Sequence, residues 1–337
     1  MTLRAALFLL VLLAAGLLPV ACGGSDDPPR GAEPPYPPRA AEPAASPEQD
    51  AEPAGRVVRV GAGPEGVAFD PGTGVVAVGL RDPDLLALVD GATGEVRRRV
   101  PLPGAPRHLA LARPGGPFIV PAEEADALAL VSPGDEQVRT VRVGDQPHDA
   151  AALGGRVYVG DEFGSTLSVV RGGRRVAQEP VDVQPGGIVP VGGQVGVVSV
   201  RAYTIELFDP RTVRGLGSQS AGLGPTHAVR DAGDRIYVAD TRGDALIVFE
   251  TRPRLKWIAR VPLPGSPYGL AADPGRDRVW VTLTGRNELV EIAAGERPRR
   301  VRTLPTVRQP NTLAVDPGSG RVFVASRTDG TLQLIDP

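Results

Sequence analysis

His108, His148 and His227 are the only histidines in the 337-residue chain. Each stands one or two residues after a proline: Pro106, Pro147 and Pro225. Chance alone would place all three in such windows roughly once in ten thousand. Imidazole titrates near neutral pH and ligates divalent transition metals, so three of them in equivalent places point to a site. Asp149 adjoins His148, and Glu123, Asp161, Glu162 and Asp240 follow 14 to 17 residues after the corresponding prolines. Imidazoles among carboxylates could bind a divalent metal or act as acid and base. His108, His148 and Asp149 are the metal candidates, with Glu123, Asp161 and Glu162 expected around them. His227 and Asp240 are expected to stand apart. The plainer reading is a solvated polar rim, since Glu65, Thr226, Tyr268 and Asn311 occupy the same place elsewhere. No residue is assigned a catalytic role. The chain has no His-Glu-x-x-His, Walker loop, Gly-x-Ser-x-Gly elbow or calcium loop.

The elements that must position these residues are repeats. Val100-Pro-Leu-Pro-Gly-Ala-Pro106 reappears as Val261-Pro-Leu-Pro-Gly-Ser-Pro267. The last proline of each copy gives seven anchors: Pro64, Pro106, Pro147, Pro185, Pro225, Pro267 and Pro310, spaced by 42, 41, 38, 40, 42 and 43 residues. A period near 40 built from short alternating runs means propeller blades. After each anchor comes an inner strand with a small residue four places on, such as Ala68, Ala151 or Ala314. Turns such as Asp70-Pro-Gly72 and Asp316-Pro-Gly318 lead to strands of the type Arg235-Ile-Tyr-Val238. A third strand (Leu246-Ile-Val-Phe249) and a fourth (Val96 to Leu102) complete the unit. Tyr158, Tyr237, Trp280 and Phe323 share one slot and read as packing between blades. The seventh unit stops after its third strand, while Arg56 to Val60 is an orphan fourth strand. Joining the two predicts an all-β, seven-bladed β-propeller over residues 55–337, four antiparallel strands per blade, with its open edge removed.

The Tyr-Val-x-Asp segments Tyr158-Val-Gly-Asp161 and Tyr237-Val-Ala-Asp240, the Gly-x-x-Pro anchors and the Leu-x-Leu-Ile-Asp strands resemble the YVTN-type, YncE-like repeat family of bacterial β-propellers. The resemblance covers about residues 56–337. This chain has Asp where the family often has Asn, and the unit from Pro185 to Asp209 lacks the Asp-Pro-Gly turn. It implies an exported, seven-bladed binding scaffold and no single reaction.

The N-terminus points to export. Arg4 precedes an apolar run from Ala5 to Leu18, long enough for a signal peptide and short for a membrane span. Ala21-Cys22-Gly23 resembles a bacterial lipoprotein cleavage site, with Pro19 departing from the usual aliphatic residue. The resemblance implies a lipoprotein signal over residues 1–22, cleaved just before Cys22, the only cysteine, which becomes the new N-terminus and carries the lipid. Residues 23–54 hold nine prolines among acids, glycines and alanines and predict an unstructured tether.

Composition excludes other classes. A net charge of −2 with arginines dispersed among acids argues against a nucleic-acid surface. One cysteine rules out a disulfide framework. The reading is a lipid-anchored, extracytoplasmic monomer at the cell membrane, binding a protein or small molecule on one face in preference to doing chemistry. The rival is a propeller enzyme, either a metal-assisted lyase or lactonase or a quinone-dependent dehydrogenase.

Overall fold

A computed structural model describes residues 39–134 and 137–337. The expected signal peptide, Cys22 and residues 23–38 lie outside the described residues. The remainder forms seven four-stranded antiparallel sheets, each in simple meander order except the last. In blade 7 the strands Pro310–Val315, Val322–Ser326 and Thr331–Ile335 are completed by Arg56–Arg59. Arg56 pairs with Leu334 and Arg59 with Thr331, so the earliest strand closes the ring. The seven-bladed propeller and its closure are thus as the repeats imply.

Why these strands hold together is visible between the blades. The buried apolar side chains fall into seven clusters, one at each junction of neighbouring blades. Phe323 of blade 7, for example, stacks on Phe69 of blade 1 at 5.4 Å between centroids. Tyr158, Tyr237 and Trp280 are equally buried, each against the following blade. Inner strands carry alanine or valine because seven of them converge where space is least. Outer strands such as Gly215–Ser220 are exposed throughout.

One departure from the sequence reading concerns the tether. From residue 39 onward it lies along the propeller as an extended strap. Tyr203 Oη donates to the Arg39 carbonyl at 2.9 Å, and Arg242 donates to the carbonyls of Arg39 and Ala40. The Ala44 amide donates to Ser266 Oγ, and Ser46 Oγ donates to the Thr284 carbonyl at 2.6 Å. Gln309 bonds Ser46 in both directions, Asn287 Nδ2 donates to the Pro47 carbonyl, and Gln49 donates to the Thr306 carbonyl. The strap therefore crosses the faces of blades 7, 6, 5 and 4 on the side that carries the anchor prolines. Its polar backbone is satisfied by propeller side chains and not by a sheet of its own.

Ring closure makes a direct prediction. A protein lacking residues 1–50 keeps the Arg56–Arg59 ladder and should unfold cooperatively, near the full-length melting temperature. A protein lacking residues 1–61 exposes the Thr331–Ile335 edge. It should melt about 10 °C or more lower, as a loss of several kcal/mol implies for a domain of this size, and aggregate. Identical melting of the two would contradict closure by this strand.

Candidate functional site

Five of the seven inner strands begin with the same distortion. The residue before the anchor is left-handed at Gly63, Gln146, Gln184, Ser266 and Gln309, with φ between 48° and 60°. Its carbonyl accepts an amide from just beyond the second strand, as Gln146 does from Glu162 at 3.0 Å. The ladder then slips immediately after the proline in blades 1, 3, 4, 5, 6 and 7. Such bulges re-aim side chains. In blade 2 the interruption is longest, with Arg107, His108 and Leu109 outside the ladder between the Pro106–Ala122 bridge and the strand Ala110–Leu111, the Arg107 amide donating to the Pro121 carbonyl and the His108 amide to that of His148.

Two tiers of side chains result. One residue after the anchor come Glu65, Arg107, His148, Thr226, Tyr268 and Asn311. Two residues after it come His108, Asp149 and His227, while blades 1, 4 and 6 carry Gly66, Gly187 and Gly269. A β-carbon on Gly66 would lie 2.1 Å from the Arg107 carbonyl, so this tier has no room for seven side chains.

The histidines meet in the space that remains. His227 Nε2 lies 2.8 Å from His108 Nε2, and the rings of His108 and His148 are 5.0 Å apart between centroids. The expectation that His227 stands apart is corrected. Blades 2 and 5 are distant around the ring, but the channel is narrow enough for their second-tier side chains to touch across it. His227 Nδ1 donates to the Tyr268 carbonyl at 3.0 Å, which leaves Nε2 as its lone pair. In the neutral pair, His108 Nε2–H is therefore the donor to His227.

His148 belongs to a charged belt on the adjoining blades. Its Nδ1 lies 2.6 Å from Glu162 Oε2 and 3.4 Å from Arg107. Arg107 bonds Glu123 at 2.8 Å, Arg81 also bonds Glu123 at 3.0 Å, and Arg327 pairs with Glu65. Three arginines thus offset three glutamates. Burial opposes ionisation of Glu162, yet the His148 hydrogen bond and the Arg107 charge outweigh it and hold its carboxyl below the ordinary range.

Two expected rim residues serve another purpose. Asp161 accepts hydrogen bonds from the Gly144 amide, Thr166 Oγ1 and Ser168 Oγ. Asp240 accepts the amides of Leu223, Gly224 and Gly243. Both tie the incoming loop to the second-to-third strand turn and are spent on structure. Asp149 is set differently. It accepts the Ala150 and Ile188 amides and lines a channel cavity of about 200 Å³ together with His108 and His227. Burial pushes its carboxyl up to about 6.

Burial acts the opposite way on imidazole. It lowers His108 well below its usual value, helped by the neighbouring His227, His148 and Arg107, and takes His227 down to about 3. Both are neutral at pH 7. The arrangement places two hydrogen-bonded imidazoles beside a cavity that also holds the Asp149 carboxyl group. Above the histidines, Ala40, Ala41 and Glu42 of the strap roof a second cavity of about 20 Å³, walled by His148, His227 and Tyr268. Sequence reasoning missed this roof entirely.

No protein-family model and no curated protein sequence matches the chain. Solved structures match over most of its length. The chain is similar to Kuenenia stuttgartiensis hydrazine synthase at 16% identity and TM-score 0.72, covering 82% of this chain and 96% of that one. It is similar to virginiamycin B lyase from Staphylococcus aureus at 11% identity and TM-score 0.68, covering 83% and 99%. The β-propeller domain of Myceliophteria thermophila Cps50 (Swd1) matches at 16% identity and TM-score 0.70, covering 84% and 99%. These likenesses establish the fold. They include enzymes and members of protein complexes alike, so they do not choose between the two readings.

The buried groups fix the sign of the pH response. His108 and His227 bind fewer protons folded than unfolded, so they cost stability as pH falls below about 6.5, each at about 1.4 kcal/mol per pH unit. Asp149 binds more protons folded than unfolded between about 4 and 6 and partly offsets them. Two groups outweigh one. The melting temperature should fall as pH drops from 7 to 5, and His108→Asn with His227→Asn should flatten that fall. An unchanged profile in the double variant would contradict the buried neutral pair.

Proposed function

We propose that the protein is an exported, lipid-anchored scaffold of the cell envelope whose anchor-proline face binds an extended polypeptide segment. The observation that carries this reading is the strap. Twelve residues of irregular chain, 39–50, lie on that face, held largely by side chains of blades 4 to 7 that bond its backbone, while Ser46 and Gln49 donate to propeller carbonyls. Recognition of backbone does not depend on one sequence, so another extended segment of similar shape can take the same path. The strap is then the resting occupant, covering the face until a partner displaces it. Propeller neighbours that belong to protein complexes, among them Swd1 and a structure of the mitotic checkpoint complex, support a binding role. Export and anchoring rest on the signal-like N-terminus and Cys22, and we read the protein as a monomer attached to the membrane by that lipid.

Two experiments test this. A labelled peptide of residues 39–50 should bind the protein lacking residues 1–50, with affinity at least tenfold weaker in a variant also carrying Arg242→Ala and Gln309→Ala. It should bind full-length protein far less, because the linked strap competes at high effective concentration. No binding to the truncated protein, or equal binding to both, would contradict the reading. For the anchor, Cys22→Ser should move the protein from the detergent phase to the aqueous phase. A wild-type protein already in the aqueous phase would rule out lipidation.

A further inference from the structure

We propose that His108, His148 and His227 form a binding centre for one borderline divalent transition metal, zinc or cobalt in kind, at the upper end of the channel. The inference does not depend on what occupies the face above.

Four observations carry it. The ligand nitrogens of the three residues lie within 4.8 Å of one another. Second, the outer nitrogens are already spoken for. His227 Nδ1 donates to the Tyr268 carbonyl and His148 Nδ1 faces the Glu162 carboxylate at 2.6 Å. Metal-bound histidines are oriented in this way, by a carbonyl or carboxylate on the far nitrogen, which fixes the tautomer and raises ligand basicity. Third, the three rings pack on one another, His108 and His148 5.0 Å and His108 and His227 4.2 Å apart between centroids, so closing on one ion needs only small movements. Fourth, His108 and His227 open on the 200 Å³ cavity, lined also by Asp149, so a further coordination position has somewhere to face.

The distance needs one adjustment. Nitrogens on a tetrahedral zinc at about 2.0–2.1 Å sit about 3.4 Å apart, whereas His108 Nε2 and His227 Nε2 are 2.8 Å apart. That is a hydrogen-bonding distance. A metal would replace the shared proton, with His108 passing to its Nδ1–H form and its ring backing away by about half an ångström. His108 has the freedom to do so, because it borders the cavity and sits in the irregular stretch of blade 2.

A second group, Glu123, His148 and Glu162, has comparable proximity. It is the weaker claimant because Arg107 and Arg81 already occupy Glu123. A cation there would have to displace guanidinium groups. In the three-histidine set a guanidinium approaches only the outer nitrogen of His148, where Arg107 lies 3.4 Å away, and none bonds His108 or His227. Asp149 is not part of the proposed ligand set, as both its oxygens accept backbone amides. Imidazole donors select zinc, cobalt, nickel or copper over magnesium and calcium, which prefer oxygen.

The test uses the full chain, stripped with chelator and titrated with cobalt at pH 7.5, followed by zinc competition. One equivalent of cobalt should produce visible absorption of the intensity typical of low coordination number, displaced by zinc and not by magnesium or calcium. Zinc should raise the melting temperature. His108→Ala and His227→Ala, each checked for a native-like melt, should weaken binding at least 100-fold. Glu162→Gln should weaken it about 10- to 100-fold through His148. Asp149→Asn and Glu123→Gln should leave it nearly unchanged. Absence of saturable binding at 100 µM metal would overturn the proposal. So would binding that survives His227→Ala and is lost in Glu123→Gln, which would place the ion among the carboxylates instead.

Discussion

Seven inner strands converge on one axis, and the space left there admits few side chains. Most features of the molecule follow from that crowding. The strands carry alanine and valine where they meet, and bulky residues are displaced outward to the blade junctions, where Tyr158, Tyr237, Trp280 and Phe323 are buried. Closing the ring with Arg56–Arg59 fixes the radius, and the radius decides which groups can touch across the channel. With glycine at Gly66, Gly187 and Gly269, the second tier leaves its volume to His108, Asp149, His227 and the small Thr312.

Confinement then sets the chemistry. Water is scarce beside the histidines, so charging an imidazole there is costly, and two of them in contact cost more. The same scarcity drives the Asp149 carboxyl up to about 6. The belt from Arg327 to Glu162 obeys the opposite rule: its charges are paired, and the Glu162 carboxyl is held below its ordinary range. Neutral nitrogen donors and ionised second partners thus stand side by side, separated by whether a guanidinium is near enough to share.

The fold was legible in the sequence because blade-to-blade packing writes itself as a period. Anchor prolines, small inner residues and aromatic slots recur, and even the orphan strand at Arg56 could be paired by counting. Parts of the site were legible by the same logic, since all three histidines follow anchors. What could not be read was distance across the ring. Strand order says that blades 2 and 5 are not neighbours, and nothing in it says how narrow the channel is. Asp161 and Asp240 misled for a related reason: they pair opposite their anchor prolines and cap a loop, whereas Glu123 and Glu162, one place further on, reach the histidine belt, and the sequence does not separate adjacent places. The strap was hidden because its contacts are hydrogen bonds from propeller side chains to backbone, which leave no hydrophobic pattern in residues 39–50. Composition alone there describes a linker.

The central claim is that His108 and His227 form a buried, neutral pair across the channel, with the His227 proton on Nδ1. Long-range nitrogen–proton correlation spectra of histidine-labelled, metal-free protein at pH 7 test it most directly. The account predicts a neutral His227 with Nδ1 protonated and Nε2 unprotonated, coupled through its hydrogen bond to His108 Nε2–H. A His227 that is protonated on both nitrogens, or that carries its proton on Nε2, would contradict it.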